Sequence, residues 1–294
     1  MLQYDSINEL VKAASENNKK ISELVLDDQA NFMDVPAEEL YSRMEKSFDV
    51  MCEAVKKGQD ENLKSMSGLT GGEGFKMKNY SENGGLSGKF MTKAMSMALA
   101  VAGYNASMGK IVATPTAGSC GILPGCLVSL YDEGRADKRD VVMSMFTSGA
   151  FGMVIAKNAS IAGAQGGCQA ECGSASGMAA ASLVELMGGT PAQSADACAI
   201  ALANQLGLVC DPVAGLVEIP CIKRNVSGVM IAFSSADMAL AGIKAYIPVD
   251  ECITAMRNVG DALVPALKET AGGGLAATPT GKALKEKVFG KEKD

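Results

Sequence analysis

Apolar residues recur at helical spacing from the start of the chain. Ser6, followed three residues on by Glu9 and then by Leu10, Val11 and Ala14, forms a capping-box opening to an amphipathic helix. Ile21, Leu24 and Val25 mark a second helix. The third is the most regular: after Asp34 and Pro36, Leu40, Met44, Phe48, Met51 and Val55 repeat at steps of four or three. Glu38, Glu39, Arg43, Glu45 and Lys57 occupy its solvated face. Further along the pattern loses its polar face. Stretches rich in Ala, Met and Gly predict helices over 90–110 and around 138–160, 176–188, 192–208, 227–246, 250–259 and 261–270, with one more after the turn at 114–119. No period-2 alternation predicts a strand, and no Pro/Ser linker divides the chain. The expected fold is all-α, a single compact helical domain over 1–294. Its parts are an N-terminal helical layer (1–62), a central region (63–282) and a charged tail (283–294) that reads as a surface helix or frayed end.

Composition narrows the function. Hydrophobic residues make up 48% of the 294 positions and charged residues only 20%, enough for a large core. A net charge of −6 without a long basic block argues against nucleic acid as a partner. The N-terminal stretch has no apolar core of a signal peptide. The longest apolar runs, near 93–108 and 226–247, are interrupted by Lys93 and Asn105 and by Ser234, Ser235 and Asp237, so neither reads as a membrane span. A soluble, cytoplasmic protein is expected. Nine cysteines form no even disulfide framework, and histidine is absent, which excludes Ser–His–Asp triads, Cys–His pairs and His-bearing zinc sites. Any base within the chain is Lys, Asp, Glu, Tyr or Cys.

The chemistry concentrates in glycine-rich and thiol-bearing stretches. Residues 163–177, GAQGGCQAECGSASG, hold Cys168 and Cys172 among five glycines with Glu171 as the one charge. Exposed backbone N–H groups and thiols there suit a metal or cluster; a glycine-rich interhelical turn with two buried cysteines is the alternative. CDPVAGLVEIPCIKRN (210–225) places Pro212 and Pro220 beside Cys210 and Cys221, and reads as an ordered loop lined with thiols. SGLTGGEGF (67–75), NGGLSG (83–88) and the hydroxyl-rich turn in IVATPTAGSCGILPG (111–125) offer donors for an anion. AGGGLAATPTGK (271–282) repeats that composition.

Taken together, ATPTAGSCGILPG, QGGCQAECGSASGMAAA, CDPVAGLVEIPCIKRN and GGLAATPTG resemble the α chains of iron–sulfur-dependent L-serine dehydratases (L-serine ammonia-lyases) over essentially the full length. The resemblance implies a [4Fe–4S] cluster on which the glycine-rich loops of 63–282 converge. Its ligands would be Cys168, Cys210 and Cys221, with Cys172 the second candidate for the first position and one iron left open. The implied reaction converts L-serine to pyruvate and ammonia, in serine catabolism and gluconeogenesis. A β chain is the implied partner, in a hetero-oligomer, docking near 67–88. Ser67, Thr70, Thr116 and Ser119, with the N–H groups of Gly71 and Gly118, are then candidates to hold the substrate carboxylate and developing anion. Lys223 or Arg224 would neutralise the cluster or clamp the carboxylate. Lys110 is a candidate base if burial depresses its pKa, and Cys120 is the remaining thiol expected nearest substrate. Two other classes stay open: a pyridoxal-phosphate dehydratase using Lys110 or Lys282 with GGGL (272–275) as phosphate cradle, and an iron–sulfur electron carrier or Cys₄ zinc protein, for which tight C-x₂-C repeats are missing.

Overall fold

Ser6 caps the first helix, α1 (Ile7–Glu16), by accepting from the Glu9 amide, and Ile7, Leu10 and Ala14 are buried as the spacing predicts. The computed structural model describes residues 4–290; the first three positions of the N-terminal layer and positions 291–294 of the charged tail lie outside the described residues. Next come α2 (Ile21–Met33) and α3 (Ala37–Gly58). Leu40, Phe48, Met51 and Val55 are buried and Met44 half-buried. The three do not stack on one another alone: α1 lies against α10 and α12 (residues below), α2 against α7, and α3 against α5 and α7.

The glycine-rich stretch after α3 is more ordered than its composition suggests. Between the two glycine clusters runs α4 (Glu73–Glu82), packed on α5 (Lys89–Ala106). Then follow α6 (Ile122–Asp132) and α7 (Lys138–Asn158), the latter capped by Asp137 on the Asp140 amide. The thiol stretch is helical rather than a turn. It comprises α8 (Gly163–Gly166), a π-helical turn (Gln169–Gly173) and α9 (Ser174–Leu186), so the helix expected from 176 starts earlier. Every residue of α9 from Ser174 to Glu185 is buried, as a helix without a polar face must be. It packs against α6, α7, α10 (Pro191–Ala203) and α11 (Cys221–Leu240). Small side chains permit this: a Cβ on Gly177 of α9 would lie 2.9 Å from Cys198 Sγ of α10.

The helix α11 begins at Cys221, six residues before the expected start at 227, because Pro220 fits the position before a first helical turn. The last large helix, α12, spans Val249–Ala262. The helix expected over 261–270 does not form. Pro265 carries no N–H to continue the ladder, and the chain passes instead through a 3₁₀ turn at Pro265–Leu267. After a second 3₁₀ turn at Gly274–Ala277, α13 (Pro279–Phe289) closes the described chain, capped by Thr278 on the Gly281 amide.

The fold is therefore all-α, with no strand among the described residues and one isolated parallel bridge, Cys210 to Lys268. Two apolar cores share α7, α9 and α10: one includes Phe48, Leu127 and Val229, the other Ile7, Phe151 and Ile253. Among the described residues no helix is long and apolar enough to cross a membrane.

Candidate active site

Four thiols converge where the π-helical turn meets the first turn of α11. Cys168 stands at the head of the π turn and Cys172 near its end, with Sγ atoms 3.4 Å apart. Cys210 enters from the loop before α11, and Cys221 is the first residue of that helix. All four are at least nine-tenths buried. Single π turns occur often at functional sites, because the wider turn re-aims its side chains.

Glu171, between the two π-turn cysteines, joins three segments. Its Oε1 accepts from Thr116 Oγ1 at 2.7 Å, and its Oε2 faces Cys210 Sγ at 3.8 Å. The third is the backbone of Gly163: a Cβ there would come 2.7 Å from Glu171 Oε2 and 2.9 Å from Cys210 Sγ. A bare glycine is thus what lets α8 close over this corner. Burial raises the Glu171 carboxyl above the usual glutamate range, against the hydrogen bond from Thr116.

Arg224 supplies the positive charge. Its Nη1 donates to the Val209 carbonyl and its Nη2 to Asp211 Oδ1, each at 2.8 Å. Asp211 Oδ2 in turn accepts from the Leu275 amide at 2.7 Å, tying the chain's last loop to the thiol loop. The backbone of Cys210 is clipped on the same side, donating to Leu267 O and accepting from the Glu269 amide. Burial alone would lower the Arg224 pKa, but the Cys168 thiolate and Asp211 outweigh it and hold it up. Cys168 is the one thiol of the four held below its usual value, by the hydrogen bond from Cys172 first and by Arg224 as well. The same pairing pushes Cys172 well up; burial pushes up Cys210, and Cys221 to about 12. Among the described residues no group of three or more His, Cys, Asp or Glu side chains is gathered to hold a metal ion.

The turn at 114–119 lies against Glu171 through Thr116. Ser119 is fully buried and closes the turn on itself, donating to Thr114 O at 3.2 Å. Asn225, also fully buried, locks the turn to α11: its Oδ1 accepts from the Gly121 amide, and its Nδ2 donates to the carbonyls of Gly118 and Cys221. Just before α11, Glu218 Oε2 accepts from both Ser67 and Thr70, at 2.8 and 2.9 Å. Gly71 follows them, half-buried, where a Cβ would strike the Leu63 carbonyl.

The structure separates the remaining candidates. Arg224 points inward while Lys223 is exposed. Lys110 is exposed too, in electrostatic range of Glu53 on α3, so the burial that a lysine base requires is missing. Lys282, on α13, is likewise exposed. Cys120, just after the turn at 114–119, is fully buried. It sits in the apolar core with its pKa pushed to about 12 by burial. Glu171, Asp211, Glu218 and Asn225 were not singled out by sequence reasoning. Each had a signal: Glu171 is the one charge in a Gly/Ser stretch, and the others lie inside the thiol motif at 210–225. A cavity of about 380 Å³ opens on the outer side of the thiol segment, lined by Ala164, Gln165, Arg257, Asp261 and Lys268 but by no cysteine.

Known proteins have related sequences. Residues 16–276 match the family described as serine dehydratase alpha chain. The chain is 49% identical over 288 residues to the probable L-serine dehydratase, alpha chain, of Bacillus subtilis, covering 98% of this chain and 96% of that one. Identity is 43% over 291 residues with the L-serine dehydratase, alpha chain, of Peptoniphilus asaccharolyticus, covering 99% of each. With the L-serine dehydratase of Streptomyces coelicolor it is 36% over 279 residues, 92% of this chain but only 60% of that longer one. This chain belongs to the serine dehydratase alpha chain family.

Proposed function

We propose that the chain is the α chain of an iron–sulfur-dependent L-serine ammonia-lyase, converting L-serine to pyruvate and ammonia. The observation that carries this reading is the pocket of four buried thiols around Glu171 and Arg224, in a chain of this family. A [4Fe–4S] cluster fits the donors. It takes one thiolate per iron, so its ligands need not close on a single point as those of one ion do. Cys168, Cys210 and Cys221 are the proposed ligands, and Gly163, with no side chain, lets α8 pack close against Cys210 and Glu171. When bound, such a cluster with three thiolates supplies an open iron as Lewis acid for the leaving hydroxyl.

The chain's own residues do the rest. Arg224, fixed by Asp211 and the Val209 carbonyl, balances the thiolate charge. The N–H of Gly118 is the proposed holder of the substrate carboxylate, with Thr116, whose proton goes to Glu171, and with Ser119 and Asn225 keeping the turn in shape. Elimination of water across the Cα–Cβ bond of serine gives aminoacrylate, which tautomerises to the imine and hydrolyses to pyruvate and ammonia. With Lys110 on the surface, the proposed base comes from a β chain docking near 67–88. The alpha-chain names of close relatives and the extra length of the Streptomyces protein favour such a partner. A cytoplasmic setting suits nine unpaired thiols.

Anaerobic purification followed by iron, acid-labile sulfide, zinc and pyridoxal assays tests the reading. Iron and sulfide near four each per chain, without zinc or pyridoxal, are expected. Pyruvate formation from L-serine should be negligible for the isolated chain and saturable on titration with the β chain. Zinc or pyridoxal in place of iron sinks the proposal.

A further inference from the structure

Glu218 is a buried carboxylate without a cation. The residue is 6% exposed, yet no Lys or Arg pairs with it among the described residues. Its Oε2 is fully engaged by Ser67 Oγ and Thr70 Oγ1. Its Oε1 accepts no hydrogen bond there and is not among the enclosed side-chain atoms left without a partner, so it still reaches open space. The residue lies just before the helix that begins with Cys221, and its own carbonyl accepts from the Ile222 amide in the first turn. That helix end favours negative charge, but it places no opposite charge against the carboxylate. A buried carboxylate left unpaired is costly, and a cationic ligand is the partner that relieves it.

The hydroxyl protons sharpen the point. Ser67 and Thr70 each own one, and both are spent on Glu218. Ser67 Oγ also accepts from the Leu69 amide at 3.0 Å. Neither hydroxyl has a proton left for a substrate carboxylate, whereas Thr70 Oγ1 keeps lone pairs. The side chains of Glu218, Ser67 and Thr70 offer acceptors and a negative charge, not protons for an anion.

We propose that Glu218, with Thr70 beside it, binds the α-ammonium group of the amino-acid substrate and so selects amino acids over their hydroxy analogues. The inference rests on the serine-dehydratase reading and assigns Ser67 and Thr70 away from the carboxylate role expected of them. The substrate then lies with its ammonium toward Glu218 and its carboxylate toward the N–H of Gly118. Ser67 is a positioning residue that holds the carboxylate of Glu218 in place.

The test uses the cluster-loaded enzyme with its β chain and two ligands: L-serine, and glycerate of matching configuration, which carries a hydroxyl in place of the ammonium. Glu218→Gln keeps the shape and one acceptor but removes the charge. It should weaken L-serine, by KM and by calorimetric Kd, about ten- to a hundred-fold, and leave glycerate inhibition within about two-fold. Thr70→Val, which leaves the carboxylate in place, should shift the preference the same way by a few-fold. It serves as the reporter if Glu218→Gln fails to fold. Equal weakening of both ligands makes the corner a mere scaffold and overturns the proposal. So does a fall in kcat with KM unchanged, the mark of a base. Parent enzyme that forms no pyruvate from L-serine overturns the reading and the proposal together; normal parent turnover confines any failure to Glu218.

Discussion

Helices α3 and α9 are built on opposite plans. In α3 the apolar positions return every third or fourth residue, and Glu39, Arg43, Glu53 and Lys57 pair along the outer face. In α9 twelve consecutive residues are buried, and small Ser, Ala and Gly positions let four neighbouring helices approach at once. One plan marks a helix that wraps the molecule; the other marks the helix around which it is assembled. The π turn with Cys168, Glu171 and Cys172 leads directly into the second kind. The difference teaches where reactive groups find rigidity. A thiol at the head of a helix enclosed on all sides cannot swing, whereas one on an outer helix can.

The largest expected effect separates chemistry from packing. Cys168→Ala, Cys210→Ala or Cys221→Ala should each lose iron and cut pyruvate formation by at least about 100-fold, with helical circular dichroism unchanged. Cys120→Ala and Cys252→Ala, in the apolar cores, should keep both. A Cys210→Ala protein with full iron and normal turnover would remove the distinction between the two sets of thiols.

Next in size is damage to the outer plan. Phe48 of α3 is fully buried and meets Tyr131 edge-on at 5.4 Å between ring centroids. Phe48→Ala should cost about 3–5 kcal/mol in urea unfolding, while iron per folded chain stays at the parent value. Iron lost in parallel with stability would mean that the two regions are not separable.

A smaller change probes the thiol corner alone. Gly163→Ala forces a Cβ against Glu171 and Cys210 and should weaken iron retention against a chelator about ten-fold, with little change in melting temperature. Unchanged retention would show that the corner yields freely.

The smallest effect is electrostatic and sits on α9 far from the thiols. Glu185 Oε2 accepts from the Ser22 amide and from Thr147 Oγ1, joining α2, α7 and α9. Burial raises its carboxyl above the usual range, so the folded chain keeps this proton to higher pH than the unfolded one. Its contribution to stability is therefore full below the ordinary glutamate value of about 4.3 and is lost as pH rises through the folded one. Glu185→Gln retains one oxygen for both donors. It should flatten the dependence of melting temperature on pH across that window and raise the neutral-pH value slightly. A steeper dependence would contradict the assignment.

The outer helices were legible because each carries its own instructions: a cap at Ser6, a three-four apolar repeat in α3, a solvated face. The thiol motifs were legible as chemistry, since Cys among Gly and Pro has few other uses. Elsewhere local signals misled. Glycines at 67–75 and 83–88 hid α4, which owes its place to packing on α5. Helix formers surround Pro265, yet this residue ends the helical run expected over 261–270. Lys110 looked usable as a base because burial cannot be read from one residue's neighbours in sequence.

By itself the sequence determined an all-helical chain, which helices wrap it, and which stretches bear thiols and hydroxyls. These are properties of short windows, where helical period and residue type act directly. Only the tertiary structure decided which polar groups meet. Glu171 reaches Thr116 across 55 positions, Asn225 joins Gly121 across 104, and Glu218 gathers Ser67 across 151. It also decided which charges are enclosed, putting Lys110 in solvent and leaving Glu218 buried with no paired cation among the described residues. The energy of a buried polar group depends on partners brought from elsewhere in the chain, and no local pattern encodes them.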